Sequence, residues 1–320
     1  MRKTTALIAA FAVLASLTAC TGSSSAGGST ISGCDSRVGS GGASLVVTAT
    51  GSFGSMPRVG FPTPLYTSTT QKSELIAGKG APIQDGQPVL LEATILNGST
   101  GKVVQQTSYA SGGGSLLTVG KSVVPAVSKA LRCATVGSRI AIVGSAMDSH
   151  QGRADAQSGI AKDDAFIYII DVKSAFPARA DGADQTPQNN QPAVVLTPNG
   201  TPGISVPAVK QPSSFSSEVL KAGSGKTVKA GDFVVLKYTG INWADKSIVK
   251  STWASGQAEV LQLGAPTVVA GLSQGIAGRR VGSQVLLVLP PALTATPDGS
   301  GTAPANATLV YVVDILGIAR

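Results

Sequence analysis

Short runs of β-branched and apolar residues, separated by glycine, proline and polar residues, make up most of the chain. Residues 45–50 and 89–94 are typical of these runs, whose composition and boundaries predict β-strands. At two places apolar residues instead recur at positions i, i+3 and i+7: Val124, Val127 and Leu131, and later Val269, Leu272 and Ile276. This spacing puts three apolar side chains on one face of a short helix that can pack against a sheet. The pattern therefore predicts a β-rich fold with a short helix in each half of the chain.

The two halves of the chain are an internal repeat. Residues 166–172 match residues 309–315, and 118–120 and 136–138 correspond to 262–264 and 281–283. Equivalent positions lie 143 to 145 residues apart, which makes each copy a whole domain and not a solenoid unit. Because the helix candidates recur at the same interval, we predict two domains of the α+β class.

The first twenty residues have the pattern of an export signal. A cationic start is followed by an apolar stretch at 6–15, which is shorter than the roughly 20 residues that cross a bilayer. The stretch closes on residues 17–20, which resemble the bacterial lipobox, so we predict a signal peptide at 1–19 and lipidation of Cys20. Acylation would anchor the mature chain at the extracytoplasmic face of the cell membrane. The alternative is an ordinary signal peptide with a chance cysteine.

Composition divides the rest of the chain. Residues 20–43 are rich in glycine and serine and predict a flexible tether. A second loose segment at 176–190, with proline, glycine and asparagine, predicts a linker between domains. The two domains are therefore expected at 44–175 and 191–320.

Charge and cysteine content change this picture little. The formal net charge of +8 falls to about +6 once the signal peptide is removed, without any basic run, and aromatic residues are only 4% of the chain. Nucleic-acid binding is therefore not expected. Cys34 and Cys133 could form one disulfide in an oxidising compartment, or remain two buried thiols. His150, the only histidine, is expected in a solvated loop, and no metal or cofactor is predicted because the ligands are lacking.

Small motifs of the second copy follow one another in a recognisable order. They occupy residues 235–240, 251–253, 263–264, 268–272, 281–282, 289–291 and 307–311. The series resembles the FKBP-type peptidyl-prolyl cis-trans isomerase family, in the two-domain lipoprotein form found in actinobacteria. The resemblance covers about 215–320 well and about 75–175 weakly. It implies two FKBP-like domains, each an antiparallel sheet wrapped around one short helix with a pocket between them.

The resemblance assigns roles to residues of the second copy. The pocket tyrosine falls on Tyr238, the Val-Ile pair before the helix on Val268 and Val269, and the last-strand aromatic on Tyr311. By resemblance, the backbone N–H of Val269 would receive the substrate carbonyl that precedes proline. The alternative is that these side chains simply form the core of a small β domain.

The second copy also departs from the family pattern. A Phe-Asp pair is replaced by Val249 and Lys250, so a pocket carboxylate becomes a cation, and the tryptophan of the pocket floor becomes Leu272. An aromatic residue aligns with Glu259, and a tyrosine hydroxyl is lost at Ala295.

The first copy lies further from the family. Ala93 stands in the position of the pocket tyrosine and Val127 in that of the tryptophan, whereas Tyr168 keeps the last-strand aromatic. We therefore do not expect isomerase activity in this copy.

Prolyl isomerisation suits a site without nucleophile or metal. The barrier of roughly 18–20 kcal/mol is lost amide resonance, so an apolar pocket and a few hydrogen-bond donors can suffice. The sequence thus predicts an extracytoplasmic, membrane-anchored prolyl isomerase or folding helper with weak activity in the C-terminal domain. Its partners would be proline-containing exported proteins or peptides. The alternative is a catalytically degenerate FKBP-like lipoprotein that binds proteins without turnover. The oligomeric state is left open.

Overall fold

The structure is a computed structural model that describes residues 38–110, 113–299 and 306–319. These residues belong to one compact unit. The predicted signal peptide, Cys20, Cys34 and most of the predicted tether lie outside the described residues. Within the part that the structure describes, none of the helices combines the length and apolar character needed to cross a membrane.

The first domain is an antiparallel sheet with one helix packed across it. In chain order its elements are α1 (Gly42–Leu45), β1 (Thr48–Thr50), β2 (Arg58–Gly60), β3 (Gln71–Ile76), β4 (Pro88–Asn97), β5 (Val103–Gln106), β6 (Ser115–Thr118), α2 (Pro125–Leu131), β7 (Arg139–Gly144), α3 (Ala146–His150) and β8 (Phe166–Ala175). The strand order of the main sheet is β3-β7-β8-β4-β5, and β6 also pairs with β4. A separate hairpin joins β1 and β2.

The second domain repeats this arrangement. Its elements are β9 (Ala183–Asp184), β10 (Ala193–Leu196), β11 (Pro202–Ser205), β12 (Ser216–Ala222), β13 (Phe233–Asn242), β14 (Ile248–Ser251), α4 (Thr252–Ser255), β15 (Glu259–Gln262), α5 (Ala270–Ile276), β16 (Gln284–Leu289), a 3-10 helix (Pro291–Leu293) and β17 (Leu309–Ala319). The sheet runs β14-β13-β17-β16-β12-β9, with β15 also on β13. The duplication and the α+β class predicted from the sequence are confirmed.

The helix of each domain begins where the apolar spacing predicts it. Val124 and Val269 are the N-caps of α2 and α5, and the remaining apolar positions point into the core. In α5 the backbone lies very close to the sheet, because a Cβ at Gly271 would stand 2.5 Å from the Leu289 side chain. Burial of each leucine or isoleucine of such a core stabilises the fold by about 1.5–3 kcal/mol.

The segments predicted as tether and linker are partly folded onto the domains. Val38 is buried in the core of the first domain, although it lies in the predicted tether. In the predicted linker, β9 pairs with β12 and the buried Phe176 lies against the backbone of Gly317. The loose composition of 176–190 therefore corresponds to chain that is fixed to the second domain.

Contacts also join the two domains to each other. The Ala258 N–H donates to the Thr118 hydroxyl at 2.9 Å, and Thr118 N–H donates to the side chain of Gln257 at 2.8 Å. Beside them, an apolar cluster combines residues of both domains: Leu90, Phe176, Val235, Ala258 and Leu316. The interface thus has both directional hydrogen bonds and buried apolar area.

Candidate functional site

The residues that the resemblance assigns to the pocket come together between α5 and the sheet of the second domain. Tyr238 lies on β13, Tyr311 on β17, Val249 on β14, and Val268 and Leu272 at the start of α5, all in or against one apolar cluster. Side chains of a strand alternate between its two faces, and the side chain of Tyr238 is on the face that α5 covers. Lys250 lies at the exposed edge of the same region.

Tyr238, Glu259 and Lys250 form a hydrogen-bonded network. The Tyr238 hydroxyl donates to Glu259 Oε2 at 2.6 Å, and Lys250 Nζ lies 3.0 Å from the same oxygen. The ammonium also lies 5.7 Å from the centre of the Tyr238 ring. Burial, and then the neighbouring Glu259 carboxylate, raise the pKa of Tyr238, so the hydroxyl stays protonated and remains a donor.

This network changes the meaning of two substitutions that the sequence presents as losses. The sequence showed Lys250 as a cation in place of a pocket carboxylate, and Glu259 as the loss of an aromatic residue. Both β14 and β15 pair with β13, which brings the two side chains to one tyrosine. A carboxylate therefore does reach Tyr238, but from Glu259. The sequence did contain a signal for this pair, because Lys250 and Glu259 both depart from the family pattern and carry opposite charges.

The two tyrosines form one aromatic wall. Their ring centroids are 5.9 Å apart at an interplanar angle of 57°, a favourable tilted geometry. The ring of Tyr311 lies on the backbone of Gly240, where any Cβ would overlap it. Burial raises the pKa of Tyr311 to about 12. Both rings are almost fully buried, so their apolar faces are held in fixed positions.

Val269 is the residue whose backbone N–H the resemblance implies as a donor. Its φ of −53° and ψ of 124° keep the residue out of the helix that follows. Val268 N–H donates to Ala265 O at 3.0 Å, whereas the Val269 N–H has no acceptor among the described residues. The Val269 side chain is half-buried against the apolar cluster. A backbone N–H at a partly exposed position can bind a carbonyl oxygen.

Leu272 and Val268 are buried more deeply than a rim position would be. Their exposed fractions are 3% and 5%, and both pack in the same apolar cluster as the tyrosines. Val249 is half-buried against that cluster. These three side chains thus belong to, or pack against, the apolar core that also contains the two tyrosines.

The first domain has an open cavity at the equivalent place. Ala93 pairs with Ile170 across the strands as Tyr238 pairs with Val313, so the two positions are structurally equivalent. The small side chain leaves a cavity of about 180 Å³ lined mainly by apolar residues: Leu91, Ala93, Ile95, Val124, Val127 and Tyr168. The Val124 N–H likewise has no acceptor in the described part of the chain. The tyrosine–carboxylate pair of the second domain has no equivalent at Ala93.

The other residues considered for chemistry have structural roles. His150 was expected to be solvated, but it ends α3, its Nε2 lies 2.8 Å from the Asp164 carbonyl oxygen, and its ring lies 5.1 Å from that of Phe166. Cys133 is disulfide-bonded, whereas Cys34 lies outside the described residues. Within those residues no cluster of three His, Cys, Asp or Glu side chains could hold a metal ion.

Comparison with known proteins gives a consistent family. The model of the FKBP-type peptidyl-prolyl cis-trans isomerase family matches residues 224–316. A probable FK506-binding protein of Corynebacterium glutamicum is 29% identical over 115 residues, which are 36% of this chain and 96% of the relative. FK506-binding protein 2 of Debaryomyces hansenii is 34% identical over 91 residues, or 28% of this chain and 67% of the relative.

Solved structures with similarity to the chain include multidomain FKBP proteins. The three FKBP domains of wheat FKBP73 give a TM-score of 0.34 at 18% identity, covering 78% of this chain and 94% of that one. FkpA from Escherichia coli gives 0.31 at 24% identity, covering 42% and 53%. From the family match and the curated relatives, the chain belongs to the FKBP-type peptidyl-prolyl cis-trans isomerase family.

Proposed function

We propose that the second domain catalyses cis-trans isomerisation of X-Pro bonds in exported proteins while the chain is anchored through Cys20. The supporting observation is the arrangement at α5, where Val269 packs against the apolar cluster that contains Tyr238 and Tyr311 and its N–H has no acceptor among the described residues. Membership of the isomerase family indicates the reaction, cis-trans isomerisation of X-Pro bonds, and this geometry favours the second domain as its site.

The arrangement suits a reaction that breaks no bond. Twisting the X-Pro amide removes resonance, so the carbonyl and the ring nitrogen behave as separate groups at the transition state. The apolar wall would hold the proline ring in a region with little water, and the Val269 N–H would bind the preceding carbonyl. Because the Tyr238 hydroxyl donates to Glu259, it contributes to the shape of the wall and is not a free donor to substrate. The replacement of tryptophan by Leu272 removes flat apolar area, which supports weak activity.

The test is a protease-coupled assay of the full chain with an Ala-Leu-Pro-Phe type peptide. Val269→Asp would place a charge beside the donor, and the matched change in the first domain is Val124→Asp, at the equivalent N-cap. We expect activity to be lost in the Val269 variant and kept in the Val124 variant, with unchanged circular dichroism. Equal activity in both variants and the unmodified chain would exclude the second domain as the site.

The proposed location at the outer face of the membrane is supported by the lipobox-like sequence and the tether composition. Cys20→Ala should release the chain from the membrane fraction and abolish incorporation of labelled palmitate. A chain that stays membrane-bound and labelled after this change would contradict the anchor.

A second candidate function is client holding by the first domain. The observation that favours it is the apolar cavity of about 180 Å³, whose mouth carries the exposed Val124 side chain. Ala93→Phe would fill the cavity. We expect this variant to suppress aggregation of an unfolded client less well than the unmodified chain, while the isomerase rate stays the same. Unchanged suppression would exclude the cavity as the holding site.

A further inference from the structure

The two domains enclose a groove separate from the region of Tyr238 and Tyr311 at α5. Its volume is about 970 Å³, and its walls come from both domains and the segment between them: residues 118–132 with 85–86, then 178–179 and 198–199, then 252–256. The walls are joined by hydrogen bonds, since Ser122 Oγ donates to Ser255 O at 2.9 Å beside the contacts of Thr118 described above. The groove is therefore part of a bonded interface.

Positive charge dominates the lining of this groove. Five cationic side chains line it with a single acid, Asp85, among the described residues: Lys121, Lys129, Arg132, Arg179 and Lys237. Asp85 pairs with Arg132, and Asp148 pairs with Lys129 at 2.7 Å. The other three cations form no ion pair within the described part of the chain.

Lys237 is the least expected of these cations. Only 5% of it is exposed, and its ammonium donates to the carbonyl oxygens of Gly86 at 3.2 Å and Ala178 at 3.0 Å. The ammonium also lies 4.6 Å from the centre of the Trp253 ring. Burial lowers the pKa of Lys237 because it removes the ammonium from water, and the nearby Asp314 carboxylate opposes this shift. An anion in the groove would offset part of that penalty.

The lining also distinguishes the kind of anion. Besides the cations, Trp253 and the apolar side chains of Val123, Pro125 and Pro198 line the groove. An inorganic ion or a headgroup would use the charges alone, whereas a peptide with alternating acidic and apolar side chains matches both parts of the surface. We infer that this groove binds an acidic segment of polypeptide.

The groove also contacts the structure that supports the pocket. Thr252 lines the groove, and its hydroxyl accepts from Tyr238 N at 2.8 Å and lies 3.2 Å from Tyr238 O. Lys237 and Tyr238 are neighbours on β13 and project to opposite faces. A client bound in the groove would thus be held next to the isomerase domain without occupying its pocket. The inference goes beyond the proposed isomerase activity and does not depend on it.

Fluorescence of the full chain tests the inference directly. The chain has two tryptophans, so Trp243→Phe leaves Trp253 as the reporter. We would titrate this protein with the proline-free peptide Ac-Ala-Glu-Leu-Glu-Leu-Glu-Ala-amide and with its uncharged glutamine counterpart. The expected result is a saturable change with the glutamate peptide and an affinity at least tenfold lower for the glutamine peptide, a difference that shrinks at high salt.

Charge reversal supplies the matched control. Lys121→Glu with Arg179→Glu should weaken binding of the glutamate peptide about tenfold or more, whereas Lys102→Glu with Lys229→Glu, both exposed and outside the groove, should change it less than twofold. Val269→Asp should bind the peptide normally even if isomerase activity is lost, so the two proposals fail separately. Equal affinity for both peptides, equal loss in the two charge-reversed proteins, or stronger binding of phosphatidylglycerol vesicles than of the peptide would overturn the inference.

Discussion

The network around Glu259 allows a quantitative prediction. Glu259→Gln keeps the side chain nearly isosteric and an oxygen that can accept from Tyr238, but it removes the charge that Lys250 faces. The change therefore separates the charged part of the network from its shape. Lys250→Met removes the other charge and serves as the comparison.

The expected size follows from the exposure of each contact. A hydrogen bond to a charged group contributes about 1.5–3 kcal/mol, and a neutral one about 0.5–1.5 kcal/mol, so the bond from Tyr238 weakens by about 1 kcal/mol. The ion pair adds only about 0.2–1 kcal/mol, because the side chains of Lys250 and Glu259 are 55% and 32% exposed. Glu259→Gln should thus destabilise the second domain by about 1–2 kcal/mol, and Lys250→Met by less than 1 kcal/mol.

Urea unfolding of a double-mutant cycle of Glu259→Gln with Tyr238→Phe measures the contribution of the charge to the bond. We expect a coupling energy between Tyr238 and Glu259 of about 1 kcal/mol, since the two groups share a direct 2.6 Å contact. In the Glu259→Gln single variant the pKa of Tyr238 should fall, because the Glu259 charge that raises it is removed. A coupling energy near zero, or a larger loss from Lys250→Met than from Glu259→Gln, would refute this account of the network.

Three further predictions concern the stability of the two domains. Burial raises the pKa of Asp314 above 3.8, so the folded state holds that proton more tightly than the unfolded state, and the stability that this group contributes falls as the pH rises above this value. Between pH 4 and 7 the urea midpoint of Asp314→Asn should therefore fall less than that of the unmodified chain. An identical pH dependence of the two proteins would contradict this. Arg139→Leu leaves the carboxylate of Asp171 buried without its ion-pair partner and should destabilise the first domain by about 3–5 kcal/mol in urea unfolding. A loss of stability below 1 kcal/mol would contradict this. Gly275→Ala would overlap the Leu287 side chain and should cost about 1–3 kcal/mol, whereas the exposed Gln274→Ala should be neutral; equal stability of the two would contradict the close packing of α5.

Local patterns in the sequence were sufficient for the fold class. The repeat and the two helices depend on spacings within each domain, such as Val269, Leu272 and Ile276, and these spacings fix which side chains face the sheet. The packing of residues 176–190 could not be predicted, because it depends on distant partners. Phe176 lies on Gly317, and the Ala180 N–H donates to Asp314 at 2.8 Å.

The site could be predicted only in part from the sequence, because it too depends on residues that are distant along the chain. The motifs placed Tyr238, Val269 and Tyr311 in one region, and the structure brings these residues together. The pairing of Glu259 with Lys250 requires knowing that β14 and β15 both pair with β13. The groove between the domains requires their relative packing, which no pattern within one domain contains.

The most direct test of the central claim is deletion of the Val269 N–H. Proline has a φ near −65°, close to the −53° observed at Val269, so Val269→Pro removes the donor with little change in φ, and Val269→Ala controls for the side chain. Cis-trans exchange of an Ala-Leu-Pro-Phe peptide, measured by NMR with the full chain, should give a kcat/KM about two- to tenfold lower for Val269→Pro than for Val269→Ala. Equal rates for the two variants, with the proline variant folded, would contradict the claim that this N–H binds the carbonyl before proline.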